Sequence, residues 1–261
     1  MKTVTSADGT SIACHPSGAG PALVLVHGTA AANPRAWPAF AGLEKHFTVY
    51  AMDRRGRGES GDAASYAMEG EFEDIAAVLD AIPEPANLLG HSLGGLFALE
   101  AALLTGNVRR MILYEPLLPA RGQPFYPAGF VERLEELLDA GDREGVLTMF
   151  YSTVAGMARE DIEQLKASPA WPDRLASAHT VPREMLAVEQ YRFDAQRLRD
   201  LHTPTLLLHG GDSPDFARAA IEALAPALPD SRIVAMAGLQ HVAMYNAPEL
   251  FVHEVLKFLS E

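Results

Sequence analysis

The stretch "LLGHSLGGL", Leu88 to Leu96, sets a serine between Gly90 and Gly94 and adds a third glycine at Gly95. Glycine loses more backbone entropy on folding than any other residue, so this clustering means that the chain needs unusual conformational freedom there. Apolar residues lead into Ser92 as in a buried strand and follow it as in a helix. That context fits the G-x-S-x-G turn, in which strained backbone lifts a serine hydroxyl out of the chain and leaves the flanking positions no room for side chains. The helix N-terminus beneath it favours negative charge near the hydroxyl. The chemistry served is nucleophilic attack by Ser92. The pentapeptide alone would also suit an inert strand-to-helix connection, and it is the flanking pattern that favours a nucleophile.

The elements that must position Ser92 are short apolar runs. They are "ALVLVHG" (22–28), "FTVYAMD" (47–53), "ANLLGHS" (86–92), "RRMILYEP" (109–116), "TPTLLLHG" (203–210) and "SRIVAMAG" (231–238). Near-continuous runs of this kind are strands covered on both faces. "SADGTS" reads as a hairpin turn of the primed type before them. Helical patterns lie between, at Glu71 to Ile82 and Leu93 to Thr105. Alternation of strands and helices predicts an α/β fold with a mostly parallel sheet and right-handed crossovers. From Arg121 to Leu198 no buried strand is evident. "GFVERLEELLDAG" instead has amphipathic helical spacing with Gly141 as its stop, and Pro182 in "VPREMLAVEQ" suits a first helical turn. Residues 1–120 and 199–261 are therefore expected to form the core, with 121–198 a helical cap over the strand ends where α/β sheets bind ligands. Asn246, Pro248 and Glu249 predict the start of a last helix, with Asn246 as its cap.

The chain of 261 residues has a net charge of −13 and no basic stripe, which argues against nucleic acid and acidic membranes as partners. Its one cysteine, Cys14, allows neither an intramolecular disulfide nor a Cys-type zinc site. The first residues lack an apolar leader, and no apolar run approaches the ~18 residues of a membrane span. A cytoplasmic protein is the expectation. No H-E-x-x-H or Walker sequence occurs, so no metal or organic cofactor is called for.

Four segments in order, "VHGT", "MDRRGRGES", "GHSLGG" and "GLQHVAMYNAPE", give the chain its resemblance to the α/β-hydrolase fold family, in its esterase-like serine branch. The resemblance covers nearly the whole chain. It implies an eight-stranded, mostly parallel sheet flanked by helices. It implies an oxyanion hole made by the backbone N–H groups of Leu93 and Thr29, with His27 shaping the loop. His241, which follows a strand and a glycine and precedes a helix, stands where the family carries its general base. His91 is expected to point away from Ser92. The family's usual acid position, three residues after Gly210, holds Ser213, which with Pro214 reads as a helix N-cap and first turn. Asp212, one residue earlier, is one candidate acid. Glu115 is the other and is preferred. It ends a buried apolar strand, where a carboxylate needs a partner, and certain haloalkane dehalogenases of the family carry their acid there. Asp53, Arg55 and Ser60 look like the family's loop brace.

The activity implied is acyl transfer through Ser92 on a small or medium carboxylic ester, lactone or thioester. The substrate would be a small molecule with an apolar acyl or alkyl part. C–C bond hydrolases and cofactor-free perhydrolases share the same constellation. A non-catalytic ligand-binding protein is the rival reading from outside enzymology, and the displaced acid is what favours it. A homo-oligomer is left open.

Overall fold

The apolar runs become strands because alternate side chains find a core on each side. The computed structural model describes residues 1–119 and 126–261. Its strands are β1 (Lys2–Thr5), β2 (Ser11–Gly18), β3 (Ala22–Val26), β4 (Thr48–Met52), β5 (Ala86–His91), β6 (Val108–Tyr114), β7 (Thr205–Gly210) and β8 (Ser231–Met236). They form one sheet in the order β1-β2-β4-β3-β5-β6-β7-β8. The β1–β2 and β2–β4 pairs are antiparallel, and the remaining pairs are parallel. Val24, Val26, Leu88, Met111, Leu113 and Leu207 face one apolar cluster. Leu23, Leu25, Leu89, Ile112, Leu206 and Leu208 face the other. This period-two division is the reason that the strands read as unbroken apolar runs.

Helices cover both faces. On the first lie α2 (Met68–Asp80), α3 (Leu93–Ala101) and α9 (Asp215–Leu224); on the second lie α1 (Phe40–Leu43), α10 (Ala243–Asn246) and α11 (Pro248–Leu259). Between β6 and β7 the chain forms α4 (Phe130–Asp139), α5 (Arg143–Thr153), α6 (Arg159–Lys166), α7 (Trp171–Ala176) and α8 (Thr180–Gln190). Leu134, Phe150, Trp171 and Met185 of this helical insertion share the apolar cluster of α2 and α3. The expected division of the chain between 120 and 121 lies outside the described residues. Among those residues no helix is long and apolar enough to cross a membrane.

Two local expectations are corrected. Only Gly9 of the first hairpin turn has positive φ (87°), whereas a type I′ turn needs it at both central residues. The turn closes through Ser6 N–H to Thr10 O at 2.8 Å, with the Asp8 carboxylate accepting from Thr10 N–H at 2.9 Å. Asn246 does not cap the last helix. It ends the short α10, and Ala247 (φ −144°) makes the corner into α11.

The glycines around Ser92 are required by close approach. A Cβ on Gly94 would lie 2.4 Å from the His27 carbonyl oxygen, and one on Gly90 would lie 2.5 Å from the Gly94 oxygen. Both contacts are with backbone, so relief means moving β3 or the helix start. Gly94→Val is expected to destabilise the fold by at least about 3 kcal/mol, a fall of roughly 6 °C or more in Tm. A melting curve that overlays the wild type would refute this account of the turn.

Candidate active site

Parallel strands end at one edge, and the candidate residues follow those ends. Ser92 comes directly after β5 and opens α3 with φ 55° and ψ −126°. Glu115 comes directly after β6 with φ 44°. His91 pairs with Tyr114 in the β5–β6 register, so Ser92 and Glu115 leave adjacent strands side by side. The Ser92 N–H donates to Tyr114 O at 3.0 Å, and Ser92 O accepts from Leu117 N–H at 3.0 Å. These bonds tie the two strand exits together. Leu93 is the first residue of α3, so its N–H has no carbonyl a turn earlier to bond within the helix. Thr29 lies past the end of β3 on the loop from His27 to Ala30. Gly28 in that loop approaches Ser92 so closely that a Cβ would lie 2.8 Å from the serine Cβ.

Glu115 is fully buried and meets His241. Its Oε2 lies 2.7 Å from His241 Nδ1. Its Oε1 accepts from Gly210 N–H at 2.7 Å and from the Ser213 hydroxyl. Burial alone would push this carboxyl up. The hydrogen bond and charge of His241, with Gly210 and Ser213, overcome that and hold it below its ordinary value. A carboxylate on Nδ1 places the ring proton there and leaves Nε2 with the basic lone pair. Asp212, by contrast, is exposed, and its N–H donates to Leu239 O at 3.0 Å. The structure brings Glu115, not Asp212, to the imidazole. Ser213 is not the cap of α9. Pro214 stands there, and the serine hydroxyl is spent on Glu115.

The loop carrying His241 is gripped from β5 and β6. His91 is buried, with Nε2 2.8 Å from His241 O. The Tyr114 hydroxyl donates to Gln240 O and accepts from Ala243 N–H at 2.9 Å. The rings of His91 and His241 lie 4.6 Å apart. Burial and the neighbouring His241 push His91 well below the ordinary imidazole value. Burial, with the Arg54 and Arg57 cations, takes His27 down to about 3, and its Nδ1 faces Gly28 O at 2.9 Å. Neither histidine is a proton carrier at neutral pH; both act as neutral hydrogen-bonding braces.

Around this centre the expected brace is present. The Asp53 carboxylate meets Asn33 Nδ2 at 2.6 Å, His15 Nε2 at 3.0 Å and Glu59 N–H at 3.0 Å. Ser60 donates to Asp53 O at 2.6 Å, and Arg55 forks onto Asp74 at 2.8 Å. The Asp53, His15 and Glu59 ligand atoms lie within 4.8 Å of one another, a spacing that the His15–Asp53 hydrogen bond and the 3.6 Å contact of His15 Nε2 with the Glu59 carboxylate already explain. A second set of buried charges was not anticipated. Arg54 forks onto Glu71 at 2.6 and 3.0 Å and reaches Glu184 of α8 at 2.7 Å; Arg57 also donates to Glu184. Its signal in the sequence is Glu184 itself, a charge set on the apolar stripe of Val181, Met185 and Val188.

A parallel sheet with a strained serine turn, an adjacent acid and a histidine loop at one edge defines a hydrolase of the α/β type. The chain belongs to the alpha/beta hydrolase family, whose model matches residues 23–254. It is similar to an alpha/beta hydrolase of Sphaerobacter thermophilus of known structure, with 34% identity, TM-score 0.86 and coverage of 99% of this chain and 100% of that one. It is 29% identical to a pimeloyl-[acyl-carrier protein] methyl ester esterase of Aeromonas hydrophila over 95% of this chain and 99% of the relative. It is 30% identical to a 2-hydroxy-6-oxo-2,4-heptadienoate hydrolase of Pseudomonas putida, over 79% and 77% of the two chains.

The neutral histidines carry a pH dependence. In the unfolded chain an imidazole titrates near 6.5, the ordinary value from which burial has lowered His27 and His91. Below that pH the unfolded state binds protons that the folded state refuses, so stability falls with acidification. Both histidines contribute to that fall, because burial keeps each neutral in the folded state. His91→Gln should therefore lose less stability than wild type between neutral pH and about pH 5. Denaturant unfolding at both pH values measures this, and identical losses in the two proteins would contradict it.

Proposed function

We propose that the protein is a serine hydrolase that cleaves a small or medium carboxylic ester, lactone or thioester through Ser92, His241 and Glu115. The observation that carries this reading is the 2.7 Å contact of His241 Nδ1 with Glu115 Oε2, made at the end of the strand beside the one that presents Ser92. The esterase name of the Aeromonas relative supports an ester as the substrate class.

In this mechanism His241 Nε2 takes the Ser92 hydroxyl proton as Oγ attacks the carbonyl carbon. The carbonyl oxygen becomes an oxyanion, received by the N–H groups of Leu93 and Thr29. Donors of this kind are worth roughly 10²–10³-fold in rate each. The imidazolium, stabilised by ionised Glu115, passes its proton to the leaving alcohol as the C–O bond breaks. Water then gives a proton to His241 and its oxygen to the acyl carbon. Collapse of the second tetrahedral intermediate frees the acid and returns the proton to Ser92. The helical insertion between β6 and β7 serves as a cap that supplies the apolar wall for the acyl or alkyl part.

A second reading keeps the same residues and changes the bond broken. The name of the Pseudomonas relative, a hydrolase of a hydroxy-oxo-dienoate, favours carbon–carbon cleavage. Turnover of p-nitrophenyl acetate and butyrate separates the readings. Ser92→Ala should fall to background, Glu115→Gln should lose on the order of 10⁴-fold in kcat, and Asp212→Asn should keep wild-type rates. A collapse in Asp212→Asn with an active Glu115→Gln would overturn the choice of acid. A wild type inert to both esters, yet labelled at Ser92 by a fluorophosphonate, would move the assignment to the second reading.

A further inference from the structure

Outside the groups already used, one buried guanidinium stands apart. Arg174 on α7 is 5% exposed, and among the described residues no carboxylate lies within ion-pair distance of it. The other arginines buried to this degree, Arg54, Arg55 and Arg57, each have one. An unpaired buried charge is expensive unless its donors are met by well-placed acceptors. Arg174 spends both Nη groups around the candidate site, while its Nε has no hydrogen-bond partner among the described residues. Nη1 donates to Ala30 O at 2.7 Å and to the Tyr151 hydroxyl at 2.9 Å, and Nη2 donates to the Tyr245 hydroxyl at 3.1 Å. Tyr151, from α5, in turn donates to the same Ala30 oxygen. Tyr245 lies on α10, in the segment that follows His241.

Ala30 is no ordinary target. It has φ 53°, a left-handed conformation that an alanine adopts only under constraint. It also follows Thr29 directly. Two earlier carbonyls of the loop are also held, with His27 O 3.4 Å from Arg54 Nη1 and Gly28 O 2.9 Å from His27 Nδ1. The Thr29 N–H is thus bracketed by gripped carbonyls, and the grip after it comes entirely from the helical insertion. Arg174 also polarises the Tyr151 hydroxyl that it contacts, which strengthens that hydroxyl as a donor to Ala30.

We infer that Arg174 and Tyr151 are positioning residues for the oxyanion hole, holding Ala30 in its left-handed turn so that the Thr29 N–H is aimed at the developing oxyanion. This rests on the serine-hydrolase reading above. It makes the insertion part of the catalytic geometry as well as a wall of the substrate site. The guanidinium suits the task because its planar fork serves a carbonyl and two hydroxyls at once, which an ammonium on a flexible stem does not.

The test uses Tyr151→Phe, which removes one hydroxyl and keeps the ring, and Arg174→Met. Three readouts are taken on the full chain: ester kinetics, inhibition by a trifluoromethyl ketone whose Ser92 adduct carries an oxyanion, and amide exchange of residues 28–31. A misaimed donor should lower kcat by roughly 10–10²-fold, with KM unchanged. Ketone affinity should weaken by the same factor, and exchange at 28–31 should quicken. Should Arg174→Met fail to fold, Tyr151→Phe decides alone. Unaltered kcat, ketone affinity and exchange in a folded Tyr151→Phe would overturn the inference. A wild type that hydrolyses no ester and takes no fluorophosphonate would instead remove the serine-hydrolase reading, and the exchange measurement would still show whether the clamp exists.

Discussion

The pairing of His91 with Tyr114 is the constraint on which the rest of the site depends. It brings the exits of β5 and β6 level, so that Ser92 and Glu115 emerge as neighbours. A slip of one residue would turn Ser92 to the other face of the sheet and break the Ser92–Tyr114 and Leu117–Ser92 backbone bonds. The glycines follow from the same constraint. With the strand ends level, α3 must start hard against His27 and Pro116; a Cβ has no room at Gly94 and only a tight fit, 3.1 Å from Pro116, at Gly95. The same register sets the histidine's place. His91 and Tyr114 occupy the paired position itself, and both reach to the backbone of 240–243.

Strain is distributed accordingly. Among the described residues, the non-glycine positions with positive φ are Ala30, Ser92 and Glu115. They lie just past three neighbouring strand ends at one edge of the sheet, those of β3, β5 and β6. Such conformations cost roughly 1–3 kcal/mol each and persist only where surrounding contacts over-determine them. Those contacts are visible. Ser92 is held by three backbone donors on its carbonyl, Glu115 by Gly210, Ser213 and His241, and Ala30 by Tyr151 and Arg174.

Much of this was legible in the sequence, and the rest failed for stated physical reasons. Strands buried on both faces announce themselves as apolar runs, so the sheet could be read directly. Ser92 was legible because a left-handed, crowded turn demands glycine on either side. Glu115 was legible because a carboxylate after four apolar strand residues must have a partner, although that the partner is His241, and that Asp212 stays exposed, follows only from where the ends of β6 and β7 lie. Ser213 misled because Ser-Pro is a good helix start in isolation, and a long-range bond to Glu115 outweighed the local preference. Asn246 misled in the same way, since a short helix took it up first. The ion network of Arg54, Arg57, Glu71 and Glu184 joins residues up to 130 positions apart, and no local pattern specifies such pairing.

That network and the Arg174 clamp have a common logic. Both bury guanidinium groups at the seam between the sheet and the helical insertion, and both donate to carbonyls of the loop from His27 to Ala30. Apolar packing alone would hold the insertion on the sheet, because Leu134, Phe150 and Trp171 already share the core of α2 and α3. Hydrophobic contact is non-directional and would tolerate small slides of the helices. Directional bonds to carbonyl oxygens do not tolerate them. Arg54 and Arg57 hold the Glu184 carboxyl below its ordinary value against the opposing effect of burial. Replacing this seam with well-packed apolar residues could leave stability unchanged. It would remove the directional bonds that register the insertion against the loop from His27 to Ala30.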